Sequence, residues 1–307
     1  MPSRRSVTEA NANGTHPAYP HLHYSAGEMV SMGDQERLAF FRKDRWIPYA
    51  RANQIVHDLE DIIQRDQVTR MPCRIVIGPS NNGKTQLGLN VKRRNMAYVD
   101  EESHRPIVPV AFIPALEGPN VAEFWSELLN ALGIANNPEA PVRRNKSRAL
   151  KFLEELKTRL IIIDEFNNAV NGPPNKQREF LGAVRYTAVR ARIPIACFGT
   201  KQIRSVMQLD SSFSNRFKAL PLDAWSWDKD WQRLLIQLEA MIPLPKRSKL
   251  AEAKFAKSMH NATDGCIGEL VELLQCMFAY ALKEGEQALN VAMIRDSGWL
   301  PPRERAG

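Results

Sequence analysis

The sequence predicts an α/β protein: a parallel sheet covered by helices on both faces, followed by a smaller, wholly helical C-terminal domain. Three observations lead there. Short apolar runs at Cys73–Ile77, Ile107–Ile113, Leu160–Ile163 and Pro194–Phe198 alternate with longer stretches of helical period, the pattern of strand–helix–strand units. Directly after the first run stands Gly78-Pro79-Ser80-Asn81-Asn82-Gly83-Lys84-Thr85, a glycine-bounded loop of the kind that joins such a strand to a helix. Beyond Trp225 only helical spacing remains, through Leu234, Leu235 and Leu238, Phe255 and Met259, then Leu270, Leu273, Leu274 and Met277.

In chain order, residues 1–32 are polar and without sustained period, and read as a flexible N-terminal arm. A helix is expected from about Asp34, with Leu38, Phe40 and Phe41. A second carries Ile55, Leu59, Ile62 and Ile63 at three- and four-residue spacing. Thr85 to Arg94 continues the glycine loop as a helix, and Asn120 to Leu132 sets Val121, Phe124, Trp125, Leu128 and Leu129 on one side. The loop holding Pro138 and Pro141 leads into the basic run Arg143–Arg148, then a helix through Leu156. A further helix spans about Lys176 to Arg192. The expected division is an arm at 1–32, an α/β core with its N-terminal helices at 33–222, and a helical lid at 223–307.

With 307 residues, 44% hydrophobic and 25% charged, the chain has the composition of an ordinary globular protein. The longest apolar runs fall far short of the roughly 18 residues that cross a bilayer, so no membrane partner is expected. Met1–Ser6 is followed by no apolar segment, which leaves a cytoplasmic location as the default. Cys73, Cys197, Cys266 and Cys276 show no metal-ligand spacing and read as buried thiols. His21 and His23 are assigned no role. Residues 71–221 hold 22 basic against 13 acidic groups, while the flanking segments are balanced. That excess suits a polyanionic partner, most simply nucleic acid, and equally a solvated surface.

The glycine loop fits G-x-x-x-x-G-K-[ST]. Its backbone N–H groups face phosphate oxygens, Lys84 reaches the β/γ oxygens, and the Thr85 hydroxyl can ligate Mg²⁺. Leu160–Ile163 ends in Asp164-Glu165, two carboxylates at the tip of a buried strand. There Asp164 would hold Mg²⁺ opposite Thr85, and Glu165 would polarise the attacking water. Thr200, after the strand ending at Phe198, has two readings: a contact to the γ-phosphate or attacking water, or an N-cap for the helix that follows.

This ordered set resembles the AAA+ ATPases and, more narrowly, the TniB family of ATP-dependent transposition regulators related to TnsC and the phage Mu B protein. The narrower match rests on Asp44-Arg45-Trp46-Ile47-x-Tyr49, the Asn-Asn-Gly-Lys-Thr loop, Ile162-Ile163-Asp164-Glu165-x-x-Asn168, Arg178-Glu179-Phe180-Leu181, Gly199-Thr200, Asn215-Arg216-Phe217 and Gly265-x-Ile267-Gly268-Glu269-Leu270. It covers roughly residues 35–290. The resemblance implies ATP and Mg²⁺ as cofactors, held by Gly78 to Thr85 together with Ile47 and Tyr49. It makes Lys84, Glu165, Thr200 and Arg216 the catalytic set, with Arg216 acting on a neighbouring subunit's ATP. Thr85 and Asp164 would be the metal ligands. Many AAA+ lids place an arginine where Glu269 stands, so slow hydrolysis is expected.

The family further implies assembly of the chain with itself on double-stranded DNA, as a ring or helical filament, and delivery of that DNA to a DDE-type transposase. By location, Lys92, Arg93 and Arg94 are the first DNA-contact candidates, and Arg143, Arg144 and Lys146 the second, all to phosphates. Two other readings share the core: a nucleotide-binding adaptor for partner proteins, and a helicase or initiator loader.

Overall fold

Among the described residues seven strands form: β1 (Cys73–Ile77), β2 (Tyr98–Val99), β3 (Pro106–Ile107), β4 (Val110–Ile113), β5 (Leu160–Ile163), β6 (Ile195–Gly199) and β7 (Phe217–Pro221). The computed structural model describes residues 14–208, 213 and 215–305. Five of the strands pair in parallel in the order β4-β5-β6-β1-β7, and β2 with β3 makes a separate antiparallel hairpin. Every residue of β1, β4, β5 and β6 is buried, which is why they read as unbroken apolar runs. The edge strand β7, Phe-Lys-Ala-Leu-Pro, buries only Phe217 and Leu220 and carries too weak a pattern to be expected from sequence. The expected strand Ile107–Ile113 divides in two: Ile107 pairs with Tyr98, Pro109 brings no N–H, and the parallel ladder starts at Val110.

The helices are α1 (Tyr24–Gly27), α2 (Asp34–Phe41), α3 (Ala50–Gln64), α4 (Lys84–Arg94), α5 (Val121–Ala131) and α6 (Val142–Glu155). They continue with α7 (Pro174–Ala191), α8 (Ile203–Gln208), α9 (Lys229–Glu239), α10 (Ala253–Thr263), α11 (Ile267–Lys283) and α12 (Met293–Asp296). Asn120 caps α5, its side chain accepting from the N–H groups of Ala122 and Glu123. The basic run Arg143–Arg148 lies inside α6, where Asn145, Ala149 and Leu153 form the buried stripe. Phe124, Phe166, Phe180 and Phe213 belong to the main apolar core, with Phe213 stacked on Phe217 at 3.9 Å between ring centres. Among the described residues no single helix is long and apolar enough to cross a membrane.

The chain divides into two compact units, Pro48–Asp223 and a helical unit that joins residues up to Ile47 to those from Ala224 onward. This differs from the boundaries expected at 32/33 and 222/223. Residues 14–32 are not loose chain: Leu22 and Ala26 are buried, and the His23 N–H donates to Ala240 O at 2.8 Å. Helix α2 packs there as well, Phe41 edge-to-face on Phe278 and the Arg37 guanidinium donating twice to Pro243 O. Isolated buried residues in a turn-rich segment leave no period to read, so the sequence pattern missed this docking. Residues 1–13 of the expected arm lie outside the described residues.

One polar feature of the sheet was not foreseen. Arg74, in β1 and only 8% exposed, makes a two-pronged ion pair to Asp58 of α3, Nε to Oδ2 at 2.6 Å and Nη2 to Oδ1 at 3.1 Å. Removing the acid alone strands a buried guanidinium. Asp58→Ala should therefore cost about 3 kcal/mol in urea unfolding, and adding Arg74→Met should recover most of it; a loss under about 0.5 kcal/mol would place the pair among surface bridges.

Candidate nucleotide site

The C-terminal ends of β1, β5 and β6 meet at one edge of the sheet, and the loop from Gly78 into α4 lies across them. Two of its residues, Asn81 at φ 55° and Gly83 at φ 79°, adopt left-handed backbone, turning successive N–H groups toward one side. Gly78 cannot be larger: a Cβ there would stand 2.4 Å from Leu222 O. Its N–H donates to Gly199 O at 3.1 Å. Asn82 is 1% exposed, and its Nδ2 donates to Leu222 O at 2.8 Å and Asp223 O at 3.1 Å, while its Oδ1 has no partner. The Lys84 ammonium folds back over the loop to donate to Pro79 O at 2.6 Å.

Across from the loop, the Thr85 hydroxyl donates to Asp164 Oδ2 at 2.6 Å, and the Glu165 N–H donates to Asp164 Oδ1 at 2.9 Å. Burial pushes the Asp164 carboxyl above its ordinary range, opposed by these two hydrogen bonds and by Lys84. Glu165 itself sits at φ 45°, a left-handed turn that ends the buried strand and leaves this carboxylate partly exposed. At the tip of β6 the Thr200 N–H donates to Asn167 Oδ1 at 3.1 Å, and the Thr200 hydroxyl is buried without a partner. Asn167 was not singled out from sequence; its signal is the close fit to Gly199, where a Cβ would meet its Oδ1 at 2.6 Å.

The remaining predicted residues lie on other segments of the chain. Tyr49 precedes α3 within the same unit, and burial pushes its phenol up to about 12 against the pull of Arg51. Ile47 belongs to the helical unit. Arg216 is at the opposite edge of the sheet: β7 runs parallel to β1 with Phe217 beside Cys73, and the Cys73 N–H donates to Arg216 O. Five strand steps, about 17 Å, separate it from Pro221, the end of β7 on the phosphate-loop edge. Asp210, Ser211, Ser212 and Ser214, shortly before it in the chain, lie outside the described residues.

Lys92, Arg93 and Arg94 end α4, exposed, with Arg94 paired to Glu60 at 3.0 Å. Arg143 and Arg144 are exposed on the first turn of α6, and the Lys146 ammonium rests 3.8 Å from the centre of the Tyr186 ring. In the helical unit Glu269 is buried and held by Arg305 at 2.7 Å. Cys73, Cys197 and Cys266 are buried thiols, as expected, whereas Cys276, expected to be buried too, is partly exposed; burial raises the Cys73 thiol to about 11.

Three solved structures share this architecture. The Aeropyrum pernix ORC2 protein, described in ADPNP–ADP complexes, superposes with a TM-score of 0.61 at 15% identity, over 85% of this chain and 71% of its own. Cdc6p from Pyrobaculum aerophilum gives 0.58 at 14%, over 84% and 69%. The Aeropyrum pernix ORC1 protein, described in complex with DNA, gives 0.54 at 13%, over 85% and 68%. At such identities the likeness establishes the fold, which is that of the AAA+ ATPases. No curated protein matches the chain. The family described as bacterial TniB protein matches residues 37–227, a span holding the phosphate loop, the Asp164–Glu165 strand end, Thr200 and Arg216. The chain therefore belongs to the TniB family.

Proposed function

We propose that this protein is an ATPase whose nucleotide state governs its assembly on double-stranded DNA, where the assembly marks that DNA as target for a DDE-type transposase. The observation that carries this reading is the placement of Arg216 on the sheet edge opposite Lys84. An arginine about 17 Å away along the strand cannot serve its own chain's phosphates, whereas a second copy packed head to tail brings its Arg216 to them. ATP held between copies then favours the polymer, and hydrolysis weakens it. The DNA-bound ORC1 relative and TniB membership support the DNA and transposition parts of the proposal.

At the site, the loop N–H groups and the α4 terminus bind the β- and γ-phosphates, and Lys84 exchanges its bond to Pro79 O for a phosphate oxygen. The hydroxyl of Thr85 and the carboxylate of Asp164, 2.6 Å apart, are hard oxygen donors suited to Mg²⁺, which when bound neutralises phosphate charge. Glu165 orients and polarises the attacking water, and the unpartnered Thr200 hydroxyl is placed to hold that water or a γ-oxygen. Glu269, committed to Arg305, supplies no cation, so turnover is slow. Lys92 and Arg93 on α4, with Arg143 and Arg144 on α6, contact phosphates of the duplex without reading bases.

Negative-stain images of the chain with duplex DNA and a non-hydrolysable ATP analogue should show ordered assemblies that are lost with ADP and at high salt. Identical monomers in both nucleotide states would refute the switch and favour an adaptor role. Lys84→Ala and Arg216→Ala should each abolish ATPase activity, with Arg216→Ala still binding ATP. Mixed in equal amounts, the two should regain activity at roughly a quarter of their interfaces; a mixture as inactive as its parts would place Arg216 outside the site.

Because burial raises the folded pKa of Asp164 above its unfolded value, its ionisation costs stability at neutral pH, a cost that disappears as pH falls through the folded pKa. Nucleotide-free Asp164→Asn should thus melt above the wild type at pH 7.5, with the gap closing on acidification. A gap that widens in acid would reverse the sign assigned here.

A further inference from the structure

On the sheet edge away from the phosphate loop, the starts of β4, β5 and β6 open onto a cavity of 880 Å³ whose lining includes Lys151, Lys157, Arg159, Arg190 and Arg192. Against these five cations stands the carboxylate of Glu154 among the described lining residues. Helices α6 and α7 end here, and their C-terminal dipoles contribute about half a negative charge each, roughly one in all. A net lining charge of +4 thus stays near +3, more than capping two helices requires. Apart from Lys151, the cations are also poorly matched elsewhere. Arg159 donates to the backbone oxygens of Ile63 and Arg65, Lys157 feels Asp100 only through space, and no carboxylate among the described residues lies within ion-pair distance of Arg190 or Arg192. Lys151 pairs with Glu155 at 3.5 Å.

One further observation points to a ligand. Thr158, in the lining and 1% exposed, has a hydroxyl without a hydrogen-bond partner, a cost that native interiors rarely leave standing. Lys157 at φ 50° and Arg192 at φ 55° both occupy left-handed backbone at the ends of α6 and α7, positions where glycine is favoured. Beside the cations, Tyr98 lines the cavity with a ring 56% exposed, next to the apolar Ile107, Leu153 and Ile193. The volume lies in the range of sites for small organic ligands.

We propose that this cavity binds a nucleotide unit, its phosphate among Lys157, Arg190 and Arg192 and its base against Tyr98. Charge supplies the phosphate affinity and the flat, half-exposed ring the stacking surface. A free mononucleotide and one residue of a single strand present the same chemistry. The test fills the phosphate loop of the full chain with a non-hydrolysable ATP analogue, then titrates AMP or a six-residue oligothymidylate by calorimetry. One further equivalent should bind, weakening at least tenfold in Arg190→Ala/Arg192→Ala, both exposed positions, with analogue binding unchanged. Tyr98→Ala should weaken it separately. AMP binding assigns the free nucleotide as source, and oligothymidylate binding without AMP assigns a strand. The proposal fails if neither probe binds below about 1 mM, or if binding persists undiminished in the arginine variant.

Discussion

The shape of the phosphate loop depends on the chain that leaves β7. Leu222 O sits where a side chain on Gly78 would be, and the Asn82 amide bonds to both Leu222 O and Asp223 O. These contacts fasten the loop, which follows the buried strand β1, to the edge strand beside it, and they do so at the last two residues of the α/β unit. A bare glycine-rich loop would lose substantial backbone entropy on closing around phosphate. Here the closure is already made by the fold, and left-handed Asn81 and Gly83 keep the N–H groups directed before any ligand arrives.

From that anchor the rest of the site follows by sheet geometry. Parallel strands put all their C-termini on one edge, so Gly78, Asp164 and Thr200, far apart in sequence, become neighbours. The same rule sends Arg216, at the start of β7, to the other edge. One topological fact therefore gathers the glycine loop, Asp164 and Thr200 and separates Arg216 from them. In the assembly proposed above, a single chain would carry both halves of a composite site facing away from each other.

Most of this edge was legible in the sequence because it is built from residues with unusual local demands: glycines, a lysine and hydroxyl at fixed offsets, and carboxylates closing an apolar run. Four of the five parallel strands were legible too, being buried on both faces. What escaped was set by partners distant in the chain. The edge strand β7 alternates weakly, Asn167 matters only because Thr200 packs beside it, and Asn82 because Leu222 and Asp223 do. Residues 14–47 looked like arm and leading helix, yet a few buried side chains such as Leu22 and Phe41 place them with the C-terminal helices.

The charge excess of residues 71–221 shows the limit of reading function from composition. Taken as one number it points to DNA, but the structure distributes it into separate environments. Arg74 is neutralised by Asp58 inside the sheet, and Arg94 by Glu60 on the surface. Lys92, Arg93, Arg143 and Arg144 face solvent on two helices. Five more cations line the cavity at the strand starts, where a convex duplex cannot follow them. A concave pocket with an exposed ring suits small or single-stranded ligands better than a double helix, so the two proposals divide the excess between two sets of cations that only the fold tells apart.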